Sequence, residues 1–396
     1  MVQHSGLRQP SQGGGVSQAA SKEQEEETAM RSNPAAYLQQ LLGIELPIIQ
    51  APMAGAAFAD MAIAVSEAGG LGSLACAMLS PAQMREEIAL IRRQTSHPIN
   101  FNFFCHRSPR FEIEREARWK ARLEPYYREF GIDLVESEPS VSRASFDEAA
   151  CEIIEEFAPE VVSFHFGLPH KDLVDRVKST GARILSSATT VSEARWLEEH
   201  GCDAVIAQGY EAGGHRGMFL GMDVSTQAGT MALVPQVVDA VKVPVIAAGG
   251  IGDARGIVAA FALGASAVQL GTAYLSCPEA RISAVHREML RCSRDDQTAL
   301  TNVFTGRPAR SIVNRLVREV GPMSLETPEF PLAAAAVMPL RQAAQEAGSG
   351  DFLPLWSGQS ARLGVKLPAG ELTRHLAVTA REWLGEMGRR GLASPG

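Results

Sequence analysis

The chain has 396 residues, of which 45% are hydrophobic and 21% are charged, and its formal net charge is -8. This composition is typical of a globular protein with a sizeable core, which excludes disorder over the whole chain. The negative charge and the lack of a long basic run argue against nucleic acid or an anionic membrane surface as the main partner. The longest apolar runs fall short of the ~20 residues that a membrane-spanning helix needs, so no membrane segment is predicted.

The first 33 residues are predicted to form a disordered tail. They include Gly13 to Gly15, many Gln and Ser, and an acidic run from Glu25 to Glu27, so they cannot bury enough apolar surface to offset the ordering entropy. No signal peptide is recognisable, and the six cysteines are far apart and lack metal-ligand spacing. We therefore predict a cytoplasmic protein with reduced thiols and no metal site.

From residue 34 onward, short apolar runs alternate with helix-like stretches, a pattern that predicts a parallel sheet with helices outside it. The runs are apolar almost throughout, as expected for strands buried on both faces. Eight such runs favour an α/β fold of the closed TIM (β/α)8 barrel type, with an open doubly wound sheet as the alternative. Ser192 and Asp253 are predicted N-caps of two helices. The predicted strands are Leu46 to Met53, Gly70 to Cys76, Pro98 to Phe104, Val161 to Phe166, Arg183 to Thr189, Ala204 to Gly209, Val243 to Gly249 and Ala267 to Thr272.

The spacing of the runs also predicts domains. The barrel covers residues 34–276, and its long spacer from Cys105 to Pro159 is predicted to form an extra helical cover beside the third strand. Beyond the eighth strand, residues 277–322 are predicted to form a smaller α/β insertion. Residues 323–396 are predicted to be a C-terminal helical segment that packs on the barrel.

Two strand ends made of small residues predict a phosphate site. The seventh strand ends in Ala247-Ala-Gly-Gly-Ile-Gly252 and opens a helix, and the eighth ends in Gln269-Leu-Gly-Thr272. In a barrel these ends are neighbours, and glycine N–H groups together with a helix N-terminus commonly bind phosphate there. The alternative is that the glycines only turn the chain. The predicted phosphate ligands are Gly249, Gly250, Gly271 and Thr272.

Other strand ends predict the walls of a flat pocket. The first strand ends at Gln50-Ala-Pro-Met53, Asn102 lies near the end of the third, and Gln208 ends the sixth. Amide side chains both donate and accept, which suits the mixed edge of an isoalloxazine ring. The sixth strand leads into Gly213-Gly-His215, which predicts a titratable side chain at the ligand-facing rim, beside backbone small enough for a flat cofactor.

Six short motifs follow one another along the chain: Gln50-Ala-Pro-Met53, Asn102-Phe-Phe104, Ser163-Phe-His-Phe-Gly167, Ala207-Gln-Gly-Tyr-Glu-Ala-Gly-Gly-His-Arg-Gly217, Ala248-Gly-Gly-Ile251 and Gln269-Leu-Gly-Thr272. This ordered set resembles the nitronate monooxygenase family, formerly called 2-nitropropane dioxygenases, and its first class in particular. The resemblance extends from about Tyr37 to the C-terminal helices. It implies an FMN-containing TIM barrel with a smaller extra domain. It also implies oxidation of alkyl nitronates by O2 to a carbonyl compound and nitrite, by a radical route and without a reduced nicotinamide cofactor.

By position, the resemblance makes His215 the catalytic histidine facing the flavin. An imidazolium can hold the nitronate anion, and a neutral imidazole can take the α-proton of a nitroalkane, so both roles are open. His165, at the end of the fourth strand, is a candidate substrate contact, with a place in the core as the alternative. The cofactor contacts that the resemblance and the strand ends imply are Ala51, Pro52, Met53, Asn102, Gln208, Gly213, Gly214, Ala248, Gly249, Gly250, Gln269, Leu270, Gly271 and Thr272.

Other functions and roles stay open at this point. The main alternative is a flavin-dependent NAD(P)H:quinone or enoyl-thioester reductase on the same scaffold, which differs in its electron donor. A phosphate-binding barrel without flavin would also explain the glycines. Arg216 either steers an anion or pairs with Glu211, and the segment Arg307 to Arg310 either closes over the site or forms surface salt bridges. The histidines expected on the solvent side are His97, His200 and His286.

Overall fold

The structure, a computed structural model, describes residue 1, residues 32–133 and residues 143–390. Almost all of the predicted tail over residues 1–33 lies outside the described residues. Within them the chain forms eleven strands, eight of which belong to one parallel sheet. The strands are β1 (Ile48–Gln50), β2 (Gly72–Ala75), β3 (Ile99–Phe104), β4 (Val161–His165), β5 (Arg183–Ala188), β6 (Ala204–Gln208), β7 (Gly214–His215), β8 (Val245–Ala248), β9 (Ala267–Leu270), β10 (Thr298–Thr301) and β11 (Ala309–Ile312).

The eight-stranded sheet closes into a barrel. Its strand order is β1-β9-β8-β6-β5-β4-β3-β2, with every pair parallel. The two outer strands of this order meet at a parallel bridge between Ile49 and Leu71, where Gln50 N–H donates to Leu71 O at 2.9 Å. Each barrel strand lies within one of the eight predicted runs, so the predicted TIM barrel is confirmed and the open sheet is wrong.

Fourteen α-helices occur in the described residues, and none of them is long and apolar enough to cross a membrane. They are α1 (Pro34–Leu42), α2 (Ala59–Ser66), α3 (Pro81–Gln94), α4 (Ile113–Phe130), α5 (Glu148–Phe157), α6 (Lys171–Ser179), α7 (Val191–Glu199), α8 (Thr230–Val238), α9 (Ala254–Ala262), α10 (Thr272–Leu275), α11 (Ala284–Cys292), α12 (Arg315–Val320), α13 (Ala333–Glu346) and α14 (Ala369–Arg390).

Side-chain caps fix where two of the barrel helices begin. The Asp253 carboxylate accepts from the N–H of Arg255 at 3.0 Å, which confirms the predicted N-cap of α9. The predicted cap at Ser192 is wrong, because Thr190 accepts from Glu193 N–H at 3.1 Å and starts α7 two residues earlier. Thr and Ser can both cap a helix, so residue type does not distinguish Thr190 from Ser192. Thr190 is the cap because the helix begins soon after β5 ends at Ala188.

The last helix completes the barrel. α14 packs against α2 and α9, the helices that follow the first and seventh barrel strands. Leu372, Leu376 and Ala380 of α14 belong to the hydrophobic core between the barrel strands and their helices. The chain therefore leaves the barrel after β9 and returns about a hundred residues later to close the helical ring.

The intervening residues build a second layer over one side of the barrel. β10, β11 and β7 form a small antiparallel sheet, which links the insertion to the segment that carries His215. A separate hydrophobic core joins α4 to α13, where Trp119 Nε1–H donates to Ala333 O at 3.2 Å and Tyr127 OH donates to Ala336 O at 2.7 Å. This core takes side chains from both sides of residue 322, so the domain boundary predicted there stays a prediction.

Candidate active site at the carboxyl end of the barrel

Residues at the carboxyl ends of the barrel strands line a cavity of about 550 Å³. Leu270 is the one predicted site residue that does not line it, because its side chain is buried between strands and helices. Its carbonyl accepts from Ala51 N–H at 2.8 Å, which joins the ends of β1 and β9. The predicted residues that line the cavity are Ala51, Pro52, Met53, Asn102, His165, Gln208, Gly213, Gly214, His215, Ala248, Gly249, Gly250, Gln269, Gly271 and Thr272.

Backbone and small side chains form the end of the cavity next to β8 and β9. Gly249 and Gly250 have φ values of +104° and +71°, which L-residues with a side chain rarely adopt. A Cβ added at Gly271 would come no nearer than 3.5 Å to the Ala51 Cβ, so this position is open towards the cavity. This end presents backbone to a ligand, as the phosphate prediction requires.

A loop near residue 358 covers this end, and no local sequence pattern predicted it. Gly358 N–H donates to Thr272 Oγ1 at 2.9 Å. A Cβ at Gly213 would lie 2.5 Å from Gly358 N, so Gly213 is a glycine because this loop passes against it. Gly214 differs, since a Cβ there would meet nothing within 4 Å. Of the two glycines before the histidine, the first therefore makes room for protein and the second leaves room in the cavity.

His215 is held from both the barrel and the insertion. Its backbone pairs with Ala309 of β11, and its Nε2 lies 2.9 Å from Thr305 Oγ1. Its carbonyl accepts from Gln208 Nε2–H at 3.0 Å and from His165 Nε2 at 3.2 Å. The ring is therefore fixed to one side of the cavity that it lines.

His165 is bonded through both ring nitrogens. Because a carbonyl only accepts, its contact with His215 O requires a proton on Nε2, and Nδ1 then accepts from Ser187 OH at 2.5 Å. Burial lowers the pKa of His165 to about 3, with Arg307 adding to the effect. The ring lines the cavity but has no nitrogen left for a substrate, so its geometry is that of a positioning residue for His215.

Gln208 is similarly engaged. Besides the bond to His215 O, its Oε1 accepts from Gly217 N–H at 2.7 Å. Both ends of the amide thus hold the segment that carries His215. Asn102 uses its Nδ2 in the same way, donating to Ser163 Oγ at 2.9 Å. Asn102 and Gln208 line the cavity, although much of their hydrogen bonding orders the wall itself. The prediction is wrong for Gln50, which is fully buried outside the cavity and accepts from Ser73 N–H at 2.8 Å through Oε1.

The described lining of the cavity carries positive charge, although the chain as a whole is acidic. Arg143, Arg281 and Arg341 line it, and none of the described residues that line it is acidic. Burial lowers the pKa of Arg143 to about 10, and the charge of Arg341 contributes. Burial also holds the pKa of His215 well below its usual value, and Arg143 is the next cause. At neutral pH His215 is therefore an uncharged imidazole beside fixed positive charge.

Aromatic rings surround His215 on the side of the insertion. Its ring centroid lies 5.2 Å from that of Phe330 and 5.4 Å from that of Trp356. Phe104 and Phe166, from the ends of β3 and β4, each lie 6.1 Å away. Sequence reasoning missed Phe330, Trp356 and Thr305, because isolated residues in the connections between helices or strands carry no local signal of a site.

Three of the open expectations are settled by burial. The solvent-side prediction for His286 is wrong, since it is 7% exposed, lines the cavity and bonds to Trp356 O at 3.0 Å through Nε2. Arg216 is fully buried and donates to Gln208 O at 2.8 Å and Gln227 Oε1 at 2.7 Å, so it does not steer an anion. Arg310 is 2% exposed and donates to Tyr210 O, which excludes a surface salt bridge for it.

Arg307, the other arginine of that segment, lies behind the histidines. Its guanidinium is 3.8 Å from the Phe166 ring centroid, and one of its terminal nitrogens donates to Met218 O. Its charge lowers the pKa of both His165 and His215. Burial is the main cause of the low pKa of both imidazoles, and the charge of Arg307 adds to it. Arg307 is not among the described residues that line the cavity.

Comparisons with known proteins point in one direction. The sequence model of the family described as nitronate monooxygenase matches residues 35–378. A nitronate monooxygenase of Pseudomonas aeruginosa is 43% identical over 349 residues, covering 86% of this chain and 98% of that protein. A solved structure of nitroalkane oxidase from Streptomyces ansochromogenes superposes with a TM-score of 0.80 at 38% identity, covering 88% of this chain and 99% of that one. FabK from Thermotoga maritima is more distant, with a TM-score of 0.69 at 28% identity and coverage of 89% and 98%.

Proposed function

This chain belongs to the nitronate monooxygenase family, and we propose that it binds FMN in the 550 Å³ cavity with His215 beside the reacting carbon of the substrate. The protein is an oxidoreductase that oxidises alkyl nitronates with O2 to a carbonyl compound and nitrite. The proposal rests on one observation: His215 and the glycines that follow β8 and β9 line the same cavity.

The residues present fit FMN. Gly249, Gly250 and Gly271 offer backbone at one end, where a phosphate would accept from their N–H groups. The buried Oε1 of Gln269 accepts no hydrogen bond from any described residue, and a ring N–H of a flavin would satisfy it. The absence of acidic groups from the described lining suits a phosphate dianion. When bound, the flavin supplies the redox chemistry by accepting electrons from the nitronate.

The protein groups would bind and orient the substrate. Arg143 and Arg341 provide positive charge for an anionic nitronate, and the rings of Phe330 and Trp356 exclude water from the side of His215. Because its pKa is well below the usual value, His215 does not hold the anion by charge at neutral pH. It acts through its lone pair or its N–H.

A test compares His215→Asn with the exposed control His97→Asn. Purified yellow protein is mixed with an alkyl nitronate or the parent nitroalkane, and O2 uptake and nitrite are followed. We expect kcat/KM of His215→Asn on the nitroalkane to fall by about 10²–10⁴, the usual contribution of a general base, while His97→Asn matches the unchanged protein. Full activity of His215→Asn would sink its assignment, and absence of flavin absorption would favour a phosphate-binding barrel.

The reductase alternative is tested by the electron donor. The match to FabK keeps this alternative in view, although it is the more distant of the two structures. Under anaerobic conditions, bleaching of the flavin by a nitronate but not by NADH or NADPH is the expected result. Rapid bleaching by either nicotinamide would replace the proposal with the reductase.

A further inference from the structure

The insertion places one hydroxyl against the imidazole of His215. Thr305 lies in the loop between β10 and β11 and is 2% exposed. Its Oγ1 is 2.9 Å from His215 Nε2 and 3.5 Å from Arg307 O. His215 Nδ1 has no hydrogen-bond partner among the described residues and is not a buried atom, so it opens on the cavity that the ring lines.

A single hydroxyl proton allows two arrangements. If the proton points to Arg307 O, Oγ1 accepts from Nε2–H, and Nδ1 presents a lone pair to the cavity. If the proton points to Nε2, then Nδ1 carries the hydrogen and presents a donor to the cavity. The first arrangement makes His215 a base, and the second makes it a hydrogen-bond donor to an anion. Thr305 therefore selects between the two roles that the sequence left open.

Two features favour the first arrangement. Among the described residues, the Thr305 hydroxyl is the donor that reaches Arg307 O, and turning it to Nε2 would leave that carbonyl without one. The contact is long, so the second feature matters. Arg341 lines the same cavity, and its positive charge favours a lone pair over an N–H dipole pointing into it.

We propose that Thr305 is a positioning residue that keeps the proton on Nε2 of His215, so that Nδ1 is the base that takes the α-proton of a neutral nitroalkane. The C–H bond breaks, its electron pair forms the C=N bond of the nitronate, and the proton bonds to Nδ1. The products of this step are a nitronate anion and an imidazolium, which later returns its proton to solvent. The inference rests on the proposed function, and it means that the enzyme can make its own nitronate.

The test uses three variants. Thr305→Val keeps the shape and removes the hydroxyl, which leaves Nε2 facing an apolar group, so the ring proton should move to Nδ1. Thr305→Ser keeps the hydroxyl. Thr301→Val is the matched control, because Thr301 is 1% exposed on β10 and donates to Pro322 O at 2.7 Å, away from His215.

The first readout is kinetic. With Thr305→Val we expect kcat/KM on the neutral nitroalkane to fall by roughly 10-fold to 100-fold, and the value on the preformed nitronate to change by less than about threefold. Thr305→Ser should restore most of the nitroalkane activity, and Thr301→Val should match the unchanged protein on both substrates. An equal loss on both substrates, or no loss, overturns the proposal.

The second readout does not depend on turnover. Protein with its bound cofactor and ¹⁵N-labelled imidazoles is studied by two-bond ¹H–¹⁵N correlation, with His215→Asn identifying the His215 signals. We expect a protonated Nε2 and a bare Nδ1 in the unchanged protein, and the reverse in Thr305→Val. A protonated Nδ1 in the unchanged protein overturns the inference. If the protein oxidises no nitronate, the proposed function fails, while this spectrum still decides the tautomer.

Discussion

The two halves of the cavity present different things to a ligand. The half formed by the ends of β8 and β9 presents backbone and small residues, of which Gly249, Gly271 and Thr272 are examples. The half formed by the residues after 277 presents long cationic and aromatic side chains, including Arg341 and Trp356. The first half suits a flat ligand that lies close to the backbone. The second half sets the charge next to that ligand and excludes water from it. We call the first the barrel half and the second, formed by residues after 277, the insertion half. The barrel half positions the ligand, and the insertion half sets the electrostatic environment of the site.

The largest expected effect comes from disturbing the barrel half. A Cβ at Gly249 would lie 3.1 Å from both Ala212 N and Gly209 O, on a backbone with φ of +104°. We expect Gly249→Ala to lose most of its flavin, measured by absorbance after gel filtration, and with it the activity. The matched control is Gly131→Ala, which also has a positive φ (+64°) but meets nothing within 4 Å. Normal flavin content in Gly249→Ala would remove the cofactor from this half.

The next effect belongs to the insertion half and depends on pH. Burial lowers the pKa of His286 from 6.5 to about 4, with neighbouring arginines contributing. The stability linked to this group is therefore fully present above pH 6.5 and is lost as the pH falls towards 4. At pH 5 the loss amounts to about 2 kcal/mol, since the unfolded chain takes up a proton that the folded one refuses.

The measurement is urea unfolding at pH 7.5 and pH 5. His286→Gln keeps a donor for Trp356 O but does not titrate, so its stability should fall with pH by about 2 kcal/mol less than that of the unchanged protein. The exposed control His200→Gln should show the same fall as the unchanged protein. If His286→Gln shows the full fall, His286 is not a buried neutral group.

The smallest effect separates charge from cofactor binding. Arg341→Met keeps the length of the side chain and removes its charge from the cavity lining. We expect KM for an alkyl nitronate to rise about fivefold, or roughly 1 kcal/mol, with flavin content unchanged. Arg318→Met, on the exposed face of α12, should leave KM as it is. Loss of flavin in Arg341→Met would show that this half also binds the cofactor, which contradicts the separation of cofactor binding from substrate charge.

Local patterns in the sequence were sufficient for the barrel. Every barrel strand falls within a predicted run, because a strand buried on both faces must be apolar throughout and the pattern is visible in the chain itself. The N-cap Asp253 was also predicted from local sequence, because a capping residue directly precedes its helix. The predicted cap Ser192 was wrong by two residues, since Thr190 caps that helix. The glycines and His215 stood out because they directly follow strands.

The insertion half was less predictable, since its residues are brought to the site by contacts distant in sequence. The sequence pattern around His286 is that of a surface position on an amphipathic helix. In the structure this histidine is buried, because the loop that carries Trp356 packs against it. Gln208 and His165 could be placed at the rim, but not assigned to the His215 carbonyl that both of them contact. Pattern indicates that a side chain is near a site and does not indicate what it bonds to.

Local sequence patterns specify the barrel, the small-residue strand ends and the histidine behind two glycines, because each depends on neighbours along the chain. The pKa and the orientation of that histidine depend instead on contacts between distant segments. Thr305 is 90 residues away from His215, and Arg143, Phe330 and Trp356 reach the same space from other segments. Burial and nearby charge set a pKa, and both are properties of the packed molecule.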